Sequence, residues 1–146
     1  MHAFKFHGMR CAATPLGAAL ARRLSSEDWI ADIEAVVPVP LHAIRERERG
    51  YNQSALLARE VGARLGLPVM PKVLARARNT PPQSLLGREE RLRNPRGAFR
   101  LLSPGRLPRR CLLVDDIMTT GTTVSECAAV LREGGAERIY VAVVAR

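Results

Sequence analysis

Two adjacent carboxylates followed by a threonine-rich turn form the part of the sequence best suited to chemistry. Residues 111–123 read Cys-Leu-Leu-Val-Asp-Asp-Ile-Met-Thr-Thr-Gly-Thr-Thr, so an apolar run leads directly into Asp115 and Asp116. Because like charges repel, these acids do not suit a phosphate. They suit hydroxyl donors, such as the vicinal hydroxyls of a ribose, or a cationic centre beside a phosphate.

The turn after the two acids suits the phosphate itself. Backbone N–H groups at the start of a helix bind anions, and a glycine lets the backbone approach closely. The predicted phosphate-binding residues are Thr119, Thr120, Gly121, Thr122 and Thr123. Thr123 and Glu126 also match a capping box, a structural explanation for part of the pattern. A capped helix alone would not require four threonines around a glycine.

Positive charge is concentrated in the middle of the chain. The 146 residues include 23 basic and 14 acidic ones, and Lys5 and Lys72 are the only lysines. Residues 42–110 hold 16 basic and 5 acidic residues, a local net charge of +11, whereas the remainder is near neutral. Guanidinium groups match phosphate geometry, so the cluster indicates a phosphorylated ligand or nucleic acid. Genome composition would explain the choice of arginine but not the clustering.

Alternating strand and helix patterns predict the elements that position these residues. Strands are expected at residues 36–40, 98–102, 111–114 and 139–144, with the last two buried. Helices are expected at residues 53–65 and 124–133, and around the leucine stripe Leu16, Leu20 and Leu24. This order predicts an α/β fold with a mostly parallel, twisted sheet flanked by helices. We expect one domain over residues 1–146.

Two loops carry most of the arginines. Residues 42–52 are expected to form a charged loop after a strand, where Arg45, Arg47 and Arg49 could meet an anion or form a solvated surface turn. Residues 76–96 contain six arginines and predict a long mobile loop. That loop is either a flap that closes over a ligand or simply a basic, disordered segment.

The remaining features exclude several classes of protein. No apolar run approaches the roughly 20 residues of a membrane span, so none is expected. Residues 11–21 have the outline of a secretory signal, but the leucine stripe favours a helix that faces the core. The three widely separated cysteines support neither a disulfide framework nor a zinc finger. We therefore expect a cytoplasmic protein with reduced thiols.

Residues 111–123 closely resemble the phosphoribosyl pyrophosphate (PRPP) signature of the type I phosphoribosyltransferases. Two further motifs look like the ComF family, whose members are linked to DNA uptake in competence and, in some relatives, to gluconate use. The first is Pro38-Val-Pro-Leu-His42 with Arg45-x-Arg-x-Arg49-Gly-Tyr-Asn-Gln53. The second is Thr80-x-x-Gln83, Arg91-x-x-Asn94 and Ala98-Phe99. The resemblance covers residues 36 to 144 and implies a type I phosphoribosyltransferase-like fold.

The resemblance also implies a role for each motif. Asp115 and Asp116 would be the catalytic residues, contacting the ribose hydroxyls of PRPP and its Mg²⁺, and residues 119–123 would hold the 5′-phosphate. The expected pyrophosphate-binding residues are Pro40, Leu41, His42 and Arg49. Gln83, Arg88 and Arg91 would belong to the flexible loop. For His42, a purely structural role stays open.

Two functions follow from these expectations. The first is transfer of ribose 5-phosphate from PRPP to an unidentified acceptor, with release of pyrophosphate. The second is a non-catalytic PRPP sensor or a factor that binds single-stranded DNA, with competence proteins as further candidate partners and a homodimer as an open assembly state. Many family members carry an N-terminal four-cysteine zinc module, which we do not expect in this chain.

Overall fold

The computed structural model describes residues 2–77, 97–102, 105 and 107–145, with side chains from residue 12 onward. The described helices are α1 (His2–Leu24), α2 (Ala43–Arg49), α3 (Gln53–Leu65) and α4 (Thr122–Glu133), and a 3-10 helix spans Asp28–Asp32. The described strands are β1 (Ala35–Pro38), β2 (Leu74–Arg76), β3 (Phe99–Leu101), β4 (Arg110–Ile117) and β5 (Arg138–Ala145). Within these ranges, no helix combines the length and apolar character needed to cross a membrane.

A parallel sheet with β4 at its centre organises the chain. β1 and β5 each pair in parallel with β4, which gives the strand order β1-β4-β5. The apolar run from Cys111 to Val114 is fully buried because helices cover both of its faces. β2 and β3 form a separate antiparallel pair. The predicted α/β class with a mostly parallel sheet is confirmed.

The two faces of the sheet bury different helices. Successive strand side chains point to opposite faces, so Leu112 and Val114 join one core cluster with residues of α3 and α1. Cys111 and Leu113 join the other cluster with residues of α4 and the β2–β3 pair. Leu24 is buried in the first cluster, which confirms the prediction of a core-facing helix at this stripe. The three long described helices therefore pack against the two faces of the sheet.

The predicted charged loop at residues 42–52 is wrong, because residues 43–49 form helix α2. Arginine and glutamate are good helix formers, even where they leave no apolar stripe to reveal a helix. The His42 side chain accepts a hydrogen bond from the N–H of Ile44 at 3.3 Å and so caps the start of α2. Gly50 ends the helix with a φ of 78°, a left-handed conformation that favours glycine.

The last strand is present as predicted, but it is not buried along its length. β5 lies at the edge of the three-stranded sheet, and most of its side chains are half-buried or exposed. Val141, for example, is 41% exposed. An apolar run in the sequence does not distinguish a central strand from an edge strand, and this explains the difference.

Candidate functional site

A polar cleft opens at the carboxyl ends of β1 and β4. In open α/β sheets with parallel strands, ligands bind at this end of the sheet. The cleft has a volume of about 160 Å³. Its lining residues are Val39, Pro40, Leu41, Arg49, Asn52, Gln53, Ser54, Arg76, Asp115, Asp116 and Thr123. The cleft therefore brings together residues from the two segments that the sequence analysis singled out, and adds residues from α3 and β2.

Asp115 lies at the bottom of the cleft and is only 8% exposed. Its Oδ1 accepts hydrogen bonds from the Ser54 hydroxyl at 2.8 Å and from the N–H of Asp116 at 3.0 Å. Burial raises the pKa of the Asp115 carboxyl from 3.8 to about 7, and the charge of Asp116 adds to this, whereas the Ser54 hydrogen bond opposes it. Asp115 is thus a desolvated carboxyl near its protonation midpoint at neutral pH.

Asp116 is half-buried beside Asp115 and also lines the cleft. The N–H of Ile117 donates to its Oδ1 at 2.9 Å, which orients the carboxyl at the end of β4. The two acids are successive residues of one strand, yet each contributes to the cleft wall. The two carboxyl groups supply a pair of acceptors, which hydroxyl groups or a cation would require.

Asn52 connects the end of β1 to the start of α3. Its side-chain amide donates to the carbonyl of Val39 at 3.0 Å, and its Oδ1 accepts from the N–H of Ser54 at 3.0 Å. Asn52 is therefore the N-cap of α3 and fixes the helix start against the sheet. This places the Ser54 hydroxyl within hydrogen-bonding distance of Asp115.

The threonine-rich turn joins β4 to α4 at the rim of the cleft. Gly121 has a φ of 75° and is the N-cap of α4, so the chain turns sharply there. The hydroxyls of Thr120 and Thr122 lie 2.8 Å apart, and the cleft wall includes Thr123. The capping-box explanation is wrong, because α4 begins at Thr122 and Thr123 lies inside its first turn. The turn presents helix N–H groups and hydroxyls, which are donors that suit an anion.

Three guanidinium groups, those of Arg45, Arg49 and Arg76, lie close enough at the cleft to interact electrostatically. Arg49 and Arg76 line the cleft. The pKa of Arg45 is lowered by burial and, to a smaller extent, by repulsion from Arg49. The pKa of Arg76 is lowered by burial and by repulsion from Arg45. The Arg76 guanidinium also lies over the Phe99 ring, 5.5 Å from its centroid. Mutual repulsion among cations is what a bound polyanion would relieve.

Six of the eleven described residues that the sequence analysis selected line this cleft: Pro40, Leu41, Arg49, Asp115, Asp116 and Thr123. The other four predicted phosphate-binding residues, 119–122, are not among its lining residues, so their contact with a phosphate stays a prediction. His42 lies next to this wall as the cap of α2, so its contact with pyrophosphate stays a prediction. The flexible-loop residues Gln83, Arg88 and Arg91 lie outside the described residues.

Sequence reasoning missed Ser54 and Arg76. Ser54 is the second residue of α3 and lies two positions after Asn52, the N-cap of that helix. This closeness to the helix start is the local signal that could have indicated that Ser54 lies near the strand ends. Arg76 ends β2, and it was counted only as the start of the long loop. Both residues reach the cleft through tertiary packing. Ser54 lies 61 positions and Arg76 lies 39 positions before Asp115 in the chain.

Comparison with known proteins gives matches over most of the chain. A family model described as phosphoribosyl transferase domain matches residues 12–146. The chain is 40% identical to competence protein F of Haemophilus influenzae over 110 residues, which are 74% of this chain and 48% of the relative. It is 37% identical to the DNA utilization protein YhgH of Salmonella typhi over 133 residues, which are 86% of this chain and 58% of the relative. The chain thus spans about half the length of these relatives.

Solved structures show the same fold. A structure described as the allosteric regulatory enzyme of purine biosynthesis aligns with a TM-score of 0.61 and 24% identity, over 92% of this chain and 26% of the other. Glutamine PRPP amidotransferase from B. subtilis, complexed with ADP and GMP, aligns with a TM-score of 0.59 and 24% identity over the same shares. At this identity the likeness concerns the fold alone.

Proposed function

The chain belongs to the phosphoribosyl transferase domain family, in the ComF group, and from this we propose that it binds PRPP and transfers ribose 5-phosphate to an acceptor. In that reaction the acceptor forms a bond to the anomeric carbon of the ribose. The bond from this carbon to the pyrophosphate oxygen breaks, and pyrophosphate leaves with the electron pair. The transition state resembles an oxocarbenium ion, as in other glycosyl transfers.

One observation carries the proposal: a single cleft is lined by paired acids, by Thr123 from the hydroxyl-rich start of α4 and by two guanidinium groups. PRPP needs these three environments, because it has a sugar diol, a terminal phosphate ester and a highly charged diphosphate. In our proposal Asp115 and Asp116, which line the cleft, accept from the diol. Residues 119–123, at the turn and start of α4, bind the 5′-phosphate; of these, Thr123 lines the cleft. Arg49 and Arg76 bind the pyrophosphate and stabilise its charge as it leaves.

The residues of the cleft also fit a Mg²⁺ ion that arrives with the substrate. Mg²⁺ is usually bound by one or two carboxylates together with substrate phosphates. Asp115 and Asp116 supply such a pair, whereas the described residues contain no group of three His, Cys, Asp or Glu side chains that could hold a metal. When bound, Mg²⁺ would neutralise diphosphate charge. Asp116 would orient the ion, and Ser54 would hold Asp115 in place.

Calorimetric titration with PRPP and Mg²⁺ tests the proposal directly. We expect saturable binding to the unmodified chain and at least a 100-fold loss of affinity in Asp115→Ala/Asp116→Ala, about 2.7 kcal/mol. The matched control is Asp28→Ala/Asp32→Ala, which removes two exposed carboxylates of the 3-10 helix. A double variant at the cleft with unchanged affinity, while the control behaves like the unmodified chain, would exclude the proposed diol site. Release of pyrophosphate with bases and amines then tests catalysis.

Binding of nucleic acid is the second candidate function, because relatives are named for competence and DNA utilization. Arg47 on α2 is exposed and adds positive charge to the surface of this Arg-rich segment. Such binding would be electrostatic, and its logarithm would fall with the logarithm of salt by ~0.7 per contacted phosphate of a single strand. Titration with single-stranded DNA at several salt concentrations distinguishes the two functions. Binding that disappears near physiological salt favours the transferase.

A further inference from the structure

A second cavity lies beside the cleft and has the opposite chemical character. Its volume is about 160 Å³, and it is bounded by α1, α3 and the ends of β4 and β5. Its lining residues are Ala13, Leu16, Gln53, Leu57, Asp116, Ile117, Val144 and Ala145. Six of these eight described residues are apolar and none is cationic, so this apolar cavity does not suit a phosphate.

The apolar cavity adjoins the cleft through the two polar residues of its described lining. Gln53 and Asp116 belong to both walls. A molecule in the apolar cavity would therefore turn its polar edge toward the carboxylate that we assign to the ribose. The rest of its surface would contact the apolar side chains that make up the remainder of the described lining.

We propose that the apolar cavity binds the acceptor of the transfer, and that this acceptor is a neutral compound with a single ring and a nucleophilic nitrogen at its edge. The inference rests on the proposed transferase function. An apolar cavity of about 150 Å³ in another protein holds one benzene molecule, so this volume matches one ring. An anionic substituent inside the cavity would be desolvated without a cationic partner among the described lining residues, and this excludes an anionic ring.

Ile117 provides a second reason to expect an apolar ligand. It follows Asp116 at the end of β4 and is 55% exposed, although it is a large aliphatic residue. A ring in the apolar cavity would cover part of this surface and gain hydrophobic free energy. Ala13, buried on α1, contributes only a methyl group to the wall of the cavity.

The position of the cavity is consistent with the chemistry of the transfer. The lone pair of the ring nitrogen forms the new bond to the anomeric carbon, and the bond from this carbon to pyrophosphate breaks. The nitrogen loses one proton, which passes to solvent. Gln53 is well placed to orient the ring edge, because it lies between the apolar cavity and the cleft.

Filling the cavity from α1 tests the inference. Aniline is a suitable probe, because it is a single ring with a nitrogen nucleophile and is neutral at pH 8. We expect aniline to bind the unmodified chain in the presence of PRPP and Mg²⁺, measured by saturation-transfer NMR. Ala13→Leu should weaken this binding at least tenfold and leave PRPP affinity within twofold. Ala19→Leu, on the exposed face of the same helix, is the matched control and should change neither.

A second variant and a charged probe make the result decisive. Ala145→Leu fills the same space from the end of β5, and it replaces Ala13→Leu if that variant does not fold. Binding of PRPP without aniline, or aniline binding that survives both variants, overturns the cavity assignment but leaves the proposed function intact. Equal binding of 4-aminobenzoate overturns the requirement for a neutral ring. A chain that does not bind PRPP overturns both proposals.

Discussion

The hydroxyl of Ser54 donates a hydrogen bond of 2.8 Å to Oδ1 of Asp115, joining the first turn of α3 to the end of β4. Both residues are buried, so this bond is shielded from water. Asn52 orients the donor by capping α3, and the Asp116 N–H donates to the same carboxyl oxygen. The position of one carboxyl in the cleft therefore depends on a helix that lies far away in sequence.

Removal of the Ser54 hydroxyl should damage both stability and ligand binding. Ser54→Ala leaves a buried carboxyl without one of its donors, and hydrogen bonds to charged groups contribute about 1.5–3 kcal/mol. We expect a loss of unfolding free energy of this size in urea titrations, together with weaker binding of PRPP and Mg²⁺. Ser125→Ala, at an exposed position on α4, is the control and should have little effect. Equal stability of Ser54→Ala and the control would contradict the role given to this hydrogen bond.

The parts of the cleft that could be predicted from the sequence are those carried by one continuous segment. The apolar run 111–114 leads directly into Asp115, Asp116 and the turn before α4. Their position at the carboxyl end of the parallel strands therefore follows from the topology. Arg49 was selected because its segment also follows a parallel strand.

Other residues reach the cleft through packing between distant segments, which no local pattern reveals. Ser54 depends on how α3 packs against β4, and Arg76 depends on the β2–β3 pair that folds beside the sheet. The helix at residues 43–49 was missed because its stability comes from capping and helix propensity rather than from an apolar face. The side chains of β5 are only half-buried because β5 is an edge strand of the sheet. The position of a strand within a sheet cannot be predicted from one apolar run.

The buried Asp115 should make stability depend on pH in a defined window. Its pKa in the folded chain is about 7, above the ordinary value of 3.8, because burial disfavours the charged form. Between these values the folded chain holds a proton that the unfolded chain lacks, so the contribution of Asp115 to stability is present below pH 4 and is lost as pH rises through 7. Each pKa unit corresponds to about 1.4 kcal/mol.

Asp115→Asn removes this titration and keeps the size of the side chain. At pH 8 we expect the variant to be more stable than the unmodified chain by about 1 kcal/mol or more, with a smaller fall in stability between pH 5 and pH 8. Urea unfolding at the two pH values measures both quantities. Asp116→Asn is the control: it removes a neighbouring charge and leaves Asp115 in place, so much of the pH dependence should persist. An unchanged pH dependence in Asp115→Asn would refute the assignment.

Gly121 should matter for both the turn and the ligand. Its φ of 75° is disfavoured for residues with a Cβ, at a cost of about 1–2 kcal/mol. Gly121→Ala should therefore lose this stability and also weaken PRPP binding, because the turn can no longer present its N–H groups to the 5′-phosphate in the same way. Gly66→Ala is matched to it, since Gly66 has a φ of 68° and lies at the end of α3, away from the cleft. Loss of stability in both variants, with loss of affinity only at Gly121, is the expected result in urea and calorimetric titrations.

Arg76 should contribute to binding of the diphosphate although it lies outside the motifs found in the sequence. Its guanidinium lines the cleft, and burial together with the charge of Arg45 lowers its pKa, so a bound anion would relieve an unfavourable arrangement. Arg76→Met keeps the apolar stem and removes the charge. We expect at least a tenfold loss of affinity for inorganic pyrophosphate with Mg²⁺ in calorimetry, about 1.4 kcal/mol. Arg100→Met is the control, because Arg100 is exposed on the neighbouring strand β3. Equal affinities in the two variants would remove Arg76 from the diphosphate site and leave Arg49 as its cleft-lining cation among the described residues.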